Sequence, residues 1–241
     1  TPPQDLDSIA RRYPDDPLLK TGVVALPAQG GADPQTVAAL DARGWQVALD
    51  ASDERGVRLA LDAFAAAARS AASAKPRRHR IEGVDLIDPE DLPRFATLGV
   101  VASMQPLDTA GGLFTWSKLA GPERAPFGWA ARSLSAAGAH LAFGSGWPRL
   151  PLEPLGTVKA AVKRDEMHTH EELTLKSAIN ACTSGAAWAS LDEHRKGTIK
   201  PGMLADLVVL STDIFRGPAA LEAAEVAMTI FDGRIVYRRP S

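Results

Sequence analysis

Cysteine is nearly absent: Cys182 stands alone among 241 residues. A single thiol excludes an internal disulfide framework and any Cys-x-x-Cys metal knuckle. Its setting, Ala178-Ile179-Asn180-Ala181-Cys182, is apolar and helical, which favours a packed thiol over a nucleophile. No stretch approaches the ~20 consecutive apolar residues of a membrane span. Excess charge is missing too. The net charge of −2 gives no electrostatic footprint for nucleic acid or an anionic membrane. The start, Thr1-Pro2-Pro3-Gln4-Asp5, has neither the basic end nor the apolar core of a signal peptide, so the expected location is cytoplasmic. A Gly-x-Ser-x-Gly elbow, a phosphate-binding loop and a dinucleotide fingerprint are all lacking.

What is present is the composition of an ordinary globular chain, 45% hydrophobic and 23% charged. Short apolar runs alternate with helical patterns. Strands are expected at residues 23–26, 46–49, 80–84, 100–104 and 140–143. Helices are expected at 34–43, with Asp33 as N-cap and Pro34 in first position, and at 54–73, 89–98 and 124–137. Further helices are expected near 155–164, 171–183 and 185–191. This alternation argues for an α/β fold with a parallel sheet of about five strand–helix units. Past residue 195 the chain becomes turn-rich and then β, with a hairpin expected around Asp232-Gly233. The basic run Lys75-Pro76-Arg77-Arg78-His79-Arg80 reads as a solvated loop.

Several motifs converge on one family. Phe143-Gly144-Ser145-Gly146-Trp147-Pro148 resembles the Gly-Ser-Asp-Trp-Pro loop of metal-dependent amidohydrolases, in the branch of long-chain amidases related to N-substituted formamide deformylases. The segments His79-Arg80-Ile81-Glu82, Asp88-Pro89-Glu90-Asp91-Leu92-Pro93-Arg94-Phe95 and Ala102-Ser103-Met104-Gln105-Pro106 are similar to the same branch. So is Gly197-Thr198-Ile199-Lys200-Pro201-Gly202 with Ala205-Asp206-Leu207-Val208-Val209-Leu210. The resemblance implies the later part of a TIM-type (β/α)8 barrel over residues 1–195, and over 196–241 the C-terminal segment of a composite β-sandwich. It also implies a zinc-dependent hydrolase of carbon–nitrogen bonds, in which metal-bound water is the nucleophile.

The functional positions of that resemblance are substituted. Ala25 stands where relatives carry a lysine, and Asp50 where a strand ends in histidine. Gly83 replaces the histidine of Ile-Glu-His, Asp108 a further histidine, and Gly146 the aspartate of the opening loop. The strands that would bring a His-x-His metal pair have no counterpart here. The expectation is therefore a domain that has lost metal and catalysis, with no cofactor, serving as a pseudoenzyme, scaffold or interaction module. The alternative is an active amide hydrolase with a rebuilt site or with ligands from another chain. Candidate strand-end pocket residues are Asp50, Glu54, Glu82, Gln105, Asp108 and Trp147. His168-Thr169-His170 precedes a helix and reads as surface. The open edges of a partial barrel point to a homo-oligomer or a complementing barrel fragment as partner, and to neither nucleic acid nor membrane.

Overall fold

In the computed structural model the described residues are 6, 8, 22–70, 77–110, 120–121, 123–164 and 169–240. They fall into two compact units. The first holds residues 1–104 and 116–141, the second residues 105–115 and 142–241. The main sheet has five strands in sequential order, β1 (Val23–Pro27), β2 (Gln46–Ala51), β3 (Arg80–Gly83), β4 (Val101–Met104) and β5 (His140–Phe143). Residues pair in parallel register from β1 through β4, so each connection carries a helix.

In the first unit, α1 (Pro34–Ala42) starts as its sequence dictates. The Asp33 carboxylate accepts the Thr36 N–H at 3.0 Å, and Pro34 occupies the first turn, where a missing N–H is harmless. The long helix α2 (Glu54–Ser70) buries Val57, Leu61, Phe64 and Ala67 along its inner stripe. After β3, Asp88 caps a 3₁₀ turn (Pro89–Asp91) that runs into α3 (Leu92–Leu98).

One expectation fails clearly. Residues 124–137 are not one helix: a 3₁₀ turn (Ala125–Phe127) is followed by a β-bridge from Gly128 to Leu86, and only then by α5 (Ala131–Ala136). Trp129 sits between them at φ +55°, its N–H held 2.7 Å from the Asp85 carbonyl and its indole buried. A helix through this stretch would pull that indole off the core. The short helix α4 (Pro106–Ala110) belongs to the second unit.

Sheet alternation sorts the strand residues into two faces. Val47, Leu49 and Ala51 of β2 are buried on the face that α2 covers, along with Ile81 of β3. The other face carries Ala25 and Pro27 of β1, Ala48 and Asp50 of β2, Arg80 and Glu82 of β3, and Ser103 of β4. Over its described residues, Arg77 to Arg80, the basic run is not a solvated loop. His79 is half-buried, stacked on the Phe64 ring with centroids 5.0 Å apart and planes 8° off parallel. Its Nδ1 accepts the Val47 N–H at 3.0 Å, and its Nε2 lies 3.3 Å from Asp41, which Arg77 also contacts. Lys75 and Pro76 lie outside the described residues.

In the second unit, α6 (Pro154–Val162) precedes α7 (Leu175–Asn180), which runs through one π-turn (Ala181–Gly185) into α8 (Ala186–Ala189). A 3₁₀ turn (Ile214–Arg216) leads to α9 (Pro218–Ala223). A three-stranded antiparallel sheet follows in the order β6 (Leu207–Leu210), β7 (Val226–Phe231), β8 (Arg234–Arg238). The Asp232-Gly233 turn has φ of +49° and +74°, matching the tight hairpin expected there. Among the described residues no helix is long and apolar enough to cross a membrane.

Candidate functional site

The register across β1–β4 puts Pro27, Asp50, Glu82 and Ser103 side by side in one layer at the C-terminal ends of the strands. The layer below contains Ala25, Ala48, Arg80 and Val101. Ala25 is thus a mid-strand residue, one layer beneath the strand ends. Asp50 is exposed at its place in the upper layer. Neighbouring carboxylates on adjacent strands repel each other, and Glu82 is compensated from two sides. Arg80 Nε donates to Glu82 Oε1 at 2.6 Å, and the Ser103 hydroxyl donates to Oε2. Arg80 in turn reaches Gln46 Oε1 at 3.4 Å, and the Gln46 amide donates to the Arg78 carbonyl at 2.6 Å. This polar line runs along one sheet face because the residues alternate by two.

Glu54, at the first turn of α2, meets Arg124 through two contacts, Nη2 at 2.5 Å and Nε at 3.2 Å. Its neighbour Asp53 caps the helix through the Gly56 N–H at 2.7 Å and accepts the Gln29 amide. Gly83 ends β3 at φ +100°, and a Cβ there would stand 3.0 Å from the Ala51 carbonyl oxygen. By pairing, Gly83 lies opposite Ala51 rather than in the Asp50–Glu82 layer.

The second unit holds the remaining candidates. Asp108 is gripped by both terminal nitrogens of Arg149, Nη1 at 2.6 Å from Oδ1 and Nη2 on Oδ2. Gly146 takes φ +75°, and its carbonyl accepts the N–H groups of Arg149 and Leu150 in a tight turn. A Cβ on Gly146 would meet Leu150 at 3.3 Å and Gln105 at 3.6 Å, so Gln105 lies beside the loop. Trp147 is 67% exposed and packs into no core. His170 is exposed and His168 lies outside the described residues. Among the described residues no three His, Cys, Asp or Glu side chains are grouped to hold a metal ion.

Sequence reasoning listed the acids and missed their partners. Arg80 was legible, since two residues before Glu82 on a strand means the same face. Arg149 lies close in the chain to the Gly146 loop, but nothing in the sequence ties it to Asp108. Arg124 could not be found from sequence, because only the tertiary fold brings it to Glu54.

A family model described as "Amidohydrolase family" matches residues 13–237. The chain belongs to the amidohydrolase family. It is 34% identical over 209 residues to "Protein LONG AFTER FAR-RED 3" of Arabidopsis thaliana, across 83% of this chain and 35% of that protein. It is 32% identical over 174 residues to "Putative amidohydrolase YtcJ" of Bacillus subtilis (strain 168), across 68% of this chain and 32% of that protein. The crystal structure of an uncharacterized metal-dependent hydrolase from Pyrococcus furiosus superposes with a TM-score of 0.59 at 27% identity, covering 71% of this chain and 35% of that one. The chain therefore spans about a third of the length of these amidohydrolase relatives. Its fold is an α/β partial barrel with a small antiparallel C-terminal sheet.

Proposed function

We propose that this amidohydrolase-family domain no longer binds a catalytic metal or hydrolyses amides, and that it acts as a pseudoenzyme scaffold or interaction module. Its motifs point to the branch of the N-substituted formamide deformylases. One observation carries the reading: three of the acids at or near the strand ends, all but the exposed Asp50, are each neutralised by an arginine of their own unit. Glu82 is held by Arg80, Glu54 by Arg124 and Asp108 by Arg149. A metal site needs carboxylate lone pairs that are free and convergent. Here a guanidinium already supplies the positive charge, and both Glu82 oxygens accept hydrogen bonds within the chain. The residues present do not fit a zinc site. Among the described residues β1 is an outer strand of its sheet, which gives a non-catalytic role a surface, for a second copy or for a complementing barrel fragment.

Elemental analysis of the purified chain, followed by an amide-hydrolysis assay with added zinc, tests this directly. The expected result is substoichiometric metal and no turnover above buffer. Stoichiometric zinc with turnover that Asp50→Ala abolishes would overturn it. A second reading, an active carbon–nitrogen hydrolase completed by ligands from another chain, draws on the exposure of Asp50 and on the share of the relatives' length that this chain lacks. It predicts turnover that emerges only when the complementing chain is added.

A further inference from the structure

At the N-terminal end of the main sheet one backbone donor is met by a side chain rather than by a strand. The register pairs Ala48 with Arg80, so Val47 stands opposite His79. In a parallel ladder an N–H bonds the carbonyl one residue before its opposite number, as the Val101 N–H does with the His79 carbonyl at 2.9 Å. By that rule the Val47 N–H belongs to the Arg78 carbonyl. Arg78 takes φ +53°, however, and its carbonyl accepts the Gln46 side-chain amide at 2.6 Å. The His79 imidazole fills the gap, its Nδ1 accepting the Val47 N–H at 3.0 Å. His79 thus joins three strands, with its carbonyl on β4 and its ring on β2.

The surroundings select one protonation state of that ring. Nδ1 accepts, so the proton of the neutral imidazole sits on Nε2, 3.3 Å from an Asp41 carboxylate oxygen. One ring face lies on Phe64 of α2. Among the described residues the charged groups that face it are Asp41 of α1 and Arg77 of its own segment. A second proton would go on Nδ1 and set two N–H groups against each other. Turning the ring over would place a C–H there instead. In either arrangement the Val47 N–H loses its acceptor. Asp41 cannot prevent this, because it lies at the other nitrogen. Burial favours the neutral ring most strongly, Asp41 opposes it and Arg77 assists it.

We propose that His79 is an acid-operated latch: the neutral ring stands in for a strand carbonyl and closes the entrance of the β2–β3 ladder, and protonation releases the Val47 N–H while the sheet stays paired. The opening is local because the backbone bond from the Val101 N–H to the His79 carbonyl contains no titrating group. Acid therefore bares one strand amide and adds a positive charge beside Arg77, converting part of the basic run into the solvated form that its composition suggests. The latch sits at the opposite strand ends from the Asp50–Glu82 layer and works whether or not the domain is catalytic.

Nuclear magnetic resonance of the full chain between pH 7.5 and 5.0 tests this, with amide exchange corrected for the intrinsic effect of pH. At pH 7.5 a scalar coupling across the hydrogen bond should join the Val47 amide nitrogen to His79 Nδ1. On acidification the coupling should vanish and Val47 protection should fall at least about tenfold, with the same midpoint as the ring titration, while Val101 keeps its protection. His79→Gln supplies a carbonyl that does not titrate, so Val47 protection should become independent of pH. Asp41→Asn removes the group that favours the protonated ring, so the midpoint should move to lower pH. If the glutamine variant fails to fold, the asparagine variant and the parent's Val47–Val101 difference decide. A ring that titrates without change at Val47 would overturn the proposal, and so would a ring that stays neutral down to pH 5.0. Equal loss at Val47 and Val101 would overturn it as well, since the sheet end would then be unfolding as a whole.

Discussion

At single positions, the backbone conformation decides what a side chain could do. Gly83 sits at φ +100°, with the Ala51 carbonyl where a Cβ would go. Gly83→His is therefore expected to lose about 1–3 kcal/mol of stability, read from urea unfolding, rather than to rebuild a ligand. Gly146→Asp should lose less, about 1 kcal/mol, because aspartate tolerates the left-handed region better than most residues. A Gly83→His protein as stable as the parent would refute the first expectation. His79 makes a second residue-scale prediction. Burial, the largest influence, holds its pKa below the ordinary value near 6.5, against the opposing pull of Asp41 and with help from Arg77. The neutral ring fits the structure, because Nδ1 accepts the Val47 N–H and cannot also carry a proton. The unfolded chain then binds more protons than the folded one as pH falls below 6.5. Stability contributed by His79 is complete above that value and is lost as pH drops through the folded pKa. Urea midpoints at pH 7.5 and 5.5 should show this slope in the parent, and His79→Gln should flatten it.

Elements follow local chemistry wherever tertiary contacts do not compete. The Asp33–Pro34 start of α1 and the Asp232-Gly233 hairpin were legible because a cap and a positive-φ turn are properties of neighbouring residues. The stretch 124–137 was misread because Trp129 takes positive φ to bury its indole, which no helical periodicity could announce. The π-turn at Ala181–Gly185 was equally invisible, since it inserts into a helix that the pattern continues. Gly197 shows how tightly the loop after α8 is fitted: a Cβ there would lie 2.6 Å from the Ala187 Cβ and 3.0 Å from the Ser184 Cα, at φ +93°. Gly197→Ala should destabilise the second unit by roughly 2 kcal/mol or more, through both overlap and backbone strain. Differential hydrogen exchange should place that loss at residues 181–207, and an unchanged exchange profile would contradict it.

For the molecule as a whole, β8 and β1, two of the four edge strands among the described residues, are protected differently. β8 carries Arg234 and Arg238 at its free edge, a charge pattern that discourages a second copy from pairing there. β1 reads Val23-Val24-Ala25-Leu26-Pro27, with no charge, and Val23 and Ala25 are exposed. Self-association should therefore run through β1 rather than β8. Light scattering is expected to give a mass above the single-chain 25.5 kDa at high concentration, and Ala25→Lys should return it to that value. A parent that stays at single-chain mass would remove β1 as a self-pairing edge. By itself the sequence determined the family and the alternation of strands and helices, because motifs and periodicity are carried by residues adjacent in the chain. Only the tertiary structure decided that Glu82, Glu54 and Asp108 are matched by Arg80, Arg124 and Arg149, and that the His79 ring meets the Val47 N–H. Charge pairing and such contacts depend on distances between segments far apart in sequence, and those distances exist only once the chain has folded.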